Sequence, residues 1–154
     1  MTLRFGTDGV RGPASELTDA LVVALGKAAA QVLGTSAFVI GRDTRESGRH
    51  LERALGTGLA LGGAQPLSLG VVPTPAVAWV CAQRGVPGAV ISASHNSWSD
   101  NGIKFFAAGG RKLSDELEAE LESALDALVA ANVEFDLAVD FKTDAGAVAE
   151  WCDA

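Results

Sequence analysis

Short apolar runs alternate along this chain with longer stretches of helical spacing, and glycine or proline separates most neighbouring segments. Such a chain can bury its apolar faces by stacking helices on a sheet, so the alternation predicts a layered α/β domain. Residues 18–33 place Leu21, Leu25 and Val32 on one helical face, with Thr18 as the N-cap and Gly34 as the stop. Ala37 to Ile40 reads as a short buried strand running into Gly41-Arg42-Asp43. A second helix is expected from Ser47 to Leu61, and a second strand from Pro66 to Val72. Pro73-Thr74-Pro75 makes a rigid turn, with a third helix following to Ala82. Gly88 to Ser92 is the next apolar strand, and Gly102 to Phe106 returns after a polar loop. So brief a return favours antiparallel neighbours, which makes the sheet mixed rather than purely parallel. The last clear helix starts at Ser114, with Leu117, Leu121, Leu125 and Leu128 on one face packed on its own sheet. Asp115 and Glu116 suit its positive N-terminal end. Beyond Asn132 the pattern fades into a tail whose Trp151 lacks a partner in this chain. The expected fold is a three-layer α/β domain, a mixed β-sheet flanked by helices, as one domain over residues 1–154.

Composition narrows the function classes. Hydrophobic residues at 48% against 20% charged sustain a packed core rather than a disordered chain. A net charge of −7 argues against general affinity for nucleic acid or an anionic membrane, while leaving room for a local cationic patch. Cys81 and Cys152 have no neighbouring Cys or His at zinc-ligand spacing. Charges and glycines interrupt every apolar stretch before it could span a bilayer, and the opening residues carry no apolar leader. A cytoplasmic setting is therefore expected.

Three polar segments could carry chemistry. In the first, Ser92 to Lys104, an apolar strand delivers two serines, His95 and Asn96 into a loop that returns through Asp-Asn-Gly to a strand bearing Lys104. A serine at a strand exit can act as a nucleophile or phosphate carrier if charge is stabilised nearby. A turn whose Ser, Asn and Asp side chains cap backbone groups accounts for the same residues. A serine hydrolase fits less well, because the Gly-x-Ser-x-Gly elbow is missing. The second segment, Phe5 to Gly12, offers Arg11 as a fork for phosphate oxygens or as a surface partner of Asp8. In the third, Gly41 to Gly48, Arg42 and Arg45 could meet a phosphate or a neighbouring domain, while Asp43, Thr44 or Ser47 could cap the next helix. Gly56-Thr57-Gly58 with Gly62 imitates a dinucleotide fingerprint but follows helical sequence, so the strand–turn–helix context is wrong.

Phe5 to Gly12, Gly41 to Gly48, Val72-Pro73-Thr74-Pro75 and Ser92 to Lys104 occur in the order and spacing of the phosphohexomutase family, and the chain resembles that family over essentially its whole length. The opening Phe-Gly-Thr-Asp-Gly-Val-Arg-Gly and the Asp-Asn-Gly-Ile-Lys-Phe-Phe run are most similar to its phosphoglucosamine mutase branch. The resemblance implies an isomerase of amino-sugar metabolism, feeding cell-wall precursor synthesis through a 1,6-bisphosphate intermediate. By it Ser94 is the phosphoserine, Lys104 serves proton transfer or charge stabilisation, and Arg11 orients phosphate. His95 and Asn96 support the loop, with Asn96 contacting the hexosamine phosphate. The implied cofactor is Mg²⁺, bound through the Ser94 phosphate with its remaining ligands absent from this chain.

Two departures qualify the resemblance. Ser97 stands where the family usually has proline, which removes a fixed φ from the loop. Family enzymes are also much longer, and their Asp-x-Asp-x-Asp metal motif belongs to a later domain; Asp136 and Asp140 are too widely spaced to imitate it. The C-terminal domains of the same enzyme are thus expected partners, the isolated chain is expected to be inactive, and an uncovered apolar face would favour self-association. A phosphomannomutase or phosphoglucomutase domain, or a non-catalytic interaction module of the same fold, fits the same residues. Retention of Ser94, Lys104 and Arg11 together speaks against the last, because an interaction surface does not require that set.

Overall fold

A computed structural model of the chain describes residues 9–34, 36–93, 96–137 and 142–154. Strand β1 (Val10–Pro13) leads through a 3-10 turn at Ala14–Glu16 into α1 (Asp19–Leu33), β2 (Ala37–Arg42), α2 (Gly48–Leu61), β3 (Gln65–Val71) and α3 (Thr74–Arg84). There follow β4 (Gly88–Ile91), β5 (Asp100–Ala107), β6 (Arg111–Lys112), α4 (Asp115–Ala131), β7 (Lys142–Thr143) and α5 (Ala145–Asp153).

The caps expected for α1 and α4 form, whereas Ser47 sits at the N-cap position of α2 without a side-chain capping bond, its hydroxyl accepting from Asn101 instead. Thr18 accepts a hydrogen bond from the Leu21 N–H at 3.3 Å, Ser114 accepts from Leu117 at 3.2 Å, and Gly34 closes α1. The strands build one mixed sheet in the order β1-β5-β4-β2-β3-β7, with β6 on the outer part of β5. β2 runs parallel to β3 and β4, whereas β5 is antiparallel to both β4 and β1. One core, holding Phe38, Ile40, Ile91, Ile103 and Phe105, lies between the sheet and α1, α2 and α4. A second, holding Val39, Val77, Val90 and Phe106, lies between the opposite face and α3 and α5. The three-layer expectation holds.

Two elements correct the sequence reading. Residues 10–13 form a strand, although the glycine-punctuated opening showed no strand pattern. The tail is also structured: α5 packs Val148 and Trp151 against the second core, so Trp151 does have partners within this chain. Asp144 starts that helix by accepting from the Ala147 N–H at 3.1 Å, and Arg84 pairs with its other oxygen at 2.6 Å. Too few apolar positions recur in so short a helix for periodicity to reveal it.

Candidate active site

The parallel strands β2, β3 and β4 end at one edge of the sheet, where β5 begins. Ligands of open α/β sheets settle outside these carboxyl ends. β4 delivers Ser92 and Ala93 to this edge, and the Ser92 N–H still donates to the Gly102 carbonyl at 2.9 Å.

Register decides what faces the site. Arg11 pairs with Gly102 and Lys104 pairs with Val90, so both cations lie on the face that also carries Phe106. Arg11 and Lys104 are therefore diagonal neighbours, about 7–8 Å apart in an ordinary sheet with their Cβ atoms somewhat closer. Gly102 lies between Arg11 and Ser92, and its lack of a side chain lets the flanking backbones approach closely there. The Lys104 ammonium lies 5.6 Å from the Phe106 ring centroid, a cation–π contact that holds its stem against the sheet. Arg11 is half-buried, and its Nε has no hydrogen-bond partner among the described residues. A buried guanidinium N–H without an acceptor is costly, and an incoming anion would satisfy it.

The loop between β4 and β5 is fastened from a second direction. Asn101 is fully buried; its Nδ2 donates to Ser47 Oγ at 2.8 Å, and its Oδ1 accepts from the Gly102 N–H at 2.9 Å. The Asp43 N–H donates to the Ile91 carbonyl at 3.1 Å, joining the ends of β2 and β4. Arg45 reaches across to carbonyls of Asn96, Ser97 and Asp100. Arg42 instead makes an ion pair with Glu52 at 2.5 Å, with only 13% of its side chain exposed. Arg42 thus supports α2 rather than facing the site.

Of the residues singled out in the sequence, Arg11 and Lys104 come together on one face. Ser94 and His95 lie outside the described residues. Asn96 is exposed, and its amide donates to Asp100 Oδ2 at 3.3 Å. Asn101 escaped sequence reasoning because its partner Ser47 is 54 positions away and no local pattern announces the contact. Burial pushes the Cys81 thiol up to about 12, so it stays protonated and is no rival nucleophile near neutral pH.

Among the described residues no three His, Cys, Asp or Glu side chains gather into a group able to hold a divalent metal. Near the loop, Asp43 is paired with Arg45 at 3.0 Å and Asp100 accepts from Asn96. The described residues suit an anion and do not fit a metal cage. Among them, too, no helix is long and apolar enough to cross a membrane.

The described residues thus form a mixed α/β sheet with two cations on one face beside the exit of β4. Residues 2–131 match the family model described as phosphoglucomutase/phosphomannomutase, alpha/beta/alpha domain I, and the chain belongs to that family. Phosphoglucosamine mutase of Deinococcus radiodurans is 53% identical over 129 residues, covering 79% of this chain and 29% of the relative. The Vibrio atlanticus phosphoglucosamine mutase is 47% identical over 156 residues, covering 96% of this chain and 35% of the relative. Among solved structures, a provisionally named phosphomannomutase from Thermus thermophilus matches with a TM-score of 0.76 at 33% identity, over 94% of this chain and 33% of that one. A phosphoglucomutase/phosphomannomutase family protein from Burkholderia thailandensis matches at 0.66 and 27%, over 88% of this chain and 31% of that one. The chain thus spans about a third of the length of these relatives.

Proposed function

We propose that this chain is the serine-bearing domain of a phosphoglucosamine mutase, which interconverts glucosamine 6-phosphate and glucosamine 1-phosphate. The observation that carries the proposal is the placement of Arg11 and Lys104 on one sheet face, beside the strand that leads to Ser94. Phosphoryl transfer asks a protein mainly to position groups and neutralise charge, and two cations beside a serine meet that demand.

In this scheme the phosphate on Ser94 passes to a sugar hydroxyl. The bond from phosphorus to Ser94 Oγ breaks as the bond to the sugar oxygen forms, leaving a 1,6-bisphosphate. The intermediate then returns its other phosphate to Ser94. Arg11 holds phosphate oxygens in its fork, while Lys104 balances charge in the transfer and assists the proton's departure. His95 and Asn96 line the loop, with Asn96 offered to the sugar. A Mg²⁺ ion bound through the Ser94 phosphate would neutralise charge there and would take its other ligands from outside the described residues. The 154 residues alone are expected to be inactive, because they span only about a third of the length of the relatives they match, and an apolar face left open would favour self-association. A cytoplasmic setting suits a phosphosugar substrate.

The test is isomer interconversion by the complete protein that carries this sequence, followed by phosphorus NMR. Glucosamine 6-phosphate should be converted, mannose 6-phosphate should be turned over less well, and Ser94→Ala should abolish most activity. Full activity in Ser94→Ala, or a preference for mannose 6-phosphate, would overturn the proposal. The greater identity to phosphoglucosamine mutases than to the solved phosphomannomutase-like structures supports the amino sugar.

A further inference from the structure

Arg45 lies on the connection from β2 to α2, more than fifty positions before the loop it touches. Its own aspartate aligns it: Asp43 Oδ2 accepts from Arg45 Nε at 3.0 Å, and Asp43 Oδ1 accepts from the Arg45 backbone N–H at 3.1 Å. Thus held, Nη1 reaches the carbonyls of Ser97 at 2.5 Å, Asn96 at 3.2 Å and Asp100 at 3.3 Å. Nη2 adds a second contact to the Asn96 carbonyl at 3.2 Å. Nη1 has two hydrogens for at least three acceptors, so the contacts are shared, and the spread charge of the guanidinium holds the carbonyls around one point. Only 11% of the Arg45 side chain is exposed, so water competes weakly with these contacts.

The loop has reason to need such a fastening. Ser97 stands where the resemblance leads one to expect proline, so no pyrrolidine ring fixes φ at that position. Within the described loop, single turn bonds link Asn96 N–H to the Ala93 carbonyl at 3.0 Å and Asp100 N–H to the Ser97 carbonyl at 2.9 Å. From outside the loop, Arg45 contacts the carbonyls at both ends of its described part, Asn96 and Asp100.

We propose that Arg45, aligned by Asp43, is a positioning residue that sets the serine loop in this chain, where the ring of a proline is lacking. Its effect on transfer rests on the function proposed above; its effect on loop order does not. Arg45→Met, Arg45→Lys and Asp43→Asn in the complete protein separate the two. Hydrogen exchange would be followed in peptides covering 96–100 and 48–61, alongside kcat and KM for glucosamine 6-phosphate.

In Arg45→Met, exchange at 96–100 should quicken by at least about tenfold while α2 keeps its protection. Turnover should fall on the order of a hundredfold with KM little changed, since misplacement of a bound reactant's partner is a kcat defect. Arg45→Lys should recover only part of both, because an ammonium cannot span the carbonyls, and Asp43→Asn should shift both in the same direction. The proposal is overturned by wild-type exchange at 96–100 in Arg45→Met, by wild-type behaviour of Arg45→Lys, or by faster exchange with unchanged kcat. Equal loss of protection across α2 would also overturn it, as that marks general destabilisation. If the unmodified protein lacks mutase activity, the proposed function fails, and the exchange rates alone still decide whether Arg45 orders the loop.

Discussion

At the scale of single residues, the site depends on what Gly102 lacks. A Cβ built there would lie 2.9 Å from the Val10 carbonyl oxygen and 3.0 Å from the Ser92 carbonyl oxygen, both backbone atoms of flanking strands. It would also come within 3.4 Å of the Arg11 Cβ. Gly102→Ala should therefore force β1 or β4 aside and cost about 1–3 kcal/mol, measurable by chemical denaturation. A loss below about 0.5 kcal/mol would show that the strands adapt freely. Asp100-Asn101-Gly102 reads in sequence as a turn, yet β5 already includes it, because pairing with β1 extends the strand backward. Arg11 and Lys104 were legible as cations, but only the register could show that they share a face.

At the scale of elements, glycines that imitate a nucleotide motif serve helix packing. A Cβ at Gly58 would lie 2.0 Å from the Val23 carbonyl oxygen, and one at Gly26 would lie 2.3 Å from that of Leu55. Helices α1 and α2 thus meet backbone to backbone, which explains glycine within α2 without invoking a ligand. Long helices and the β4–β5 pair were readable from apolar spacing and loop length. Helix α5 was not, since it depends on Asp144 as cap and on Arg84 from a distant helix. The Arg84 hydrogen bond, aided by the Ala147 N–H, holds the Asp144 carboxyl below its usual range. A carboxyl lowered in the folded state stabilises it above the unfolded pKa, and that contribution fades as pH falls through the folded value. Protection of α5 amides should accordingly drop as the solution is acidified below about pH 4. Asp144→Asn keeps a capping side chain but removes the charge that pairs with Arg84, so it should cost about 0.2–1 kcal/mol at neutral pH and flatten that dependence. Unchanged acid sensitivity of α5 in Asp144→Asn would refute the assignment.

At the scale of the molecule, the topology explains why the candidate site residues gather at one edge. Three parallel strands end there, antiparallel β5 starts there, and β1 brings Arg11 to the same corner. The α/β class, the mixed sheet and the family were all legible, because order and spacing of four segments constrain a chain more tightly than any single motif. In the proposed function Ser94 carries the transferred phosphate while Arg11 and Lys104 receive its charge. The most direct measurement is the phosphate itself. The complete protein would be charged with glucosamine 1,6-bisphosphate, its phosphopeptides mapped by mass spectrometry, and the phosphoprotein then chased with glucosamine 6-phosphate. Phosphate should appear on Ser94 and leave during the chase, with Arg11→Met and Lys104→Met each slowing its departure on the order of a hundredfold. Phosphate on another residue, phosphate on Ser94 that sugar cannot remove, or variants that release it at the wild-type rate would contradict the account.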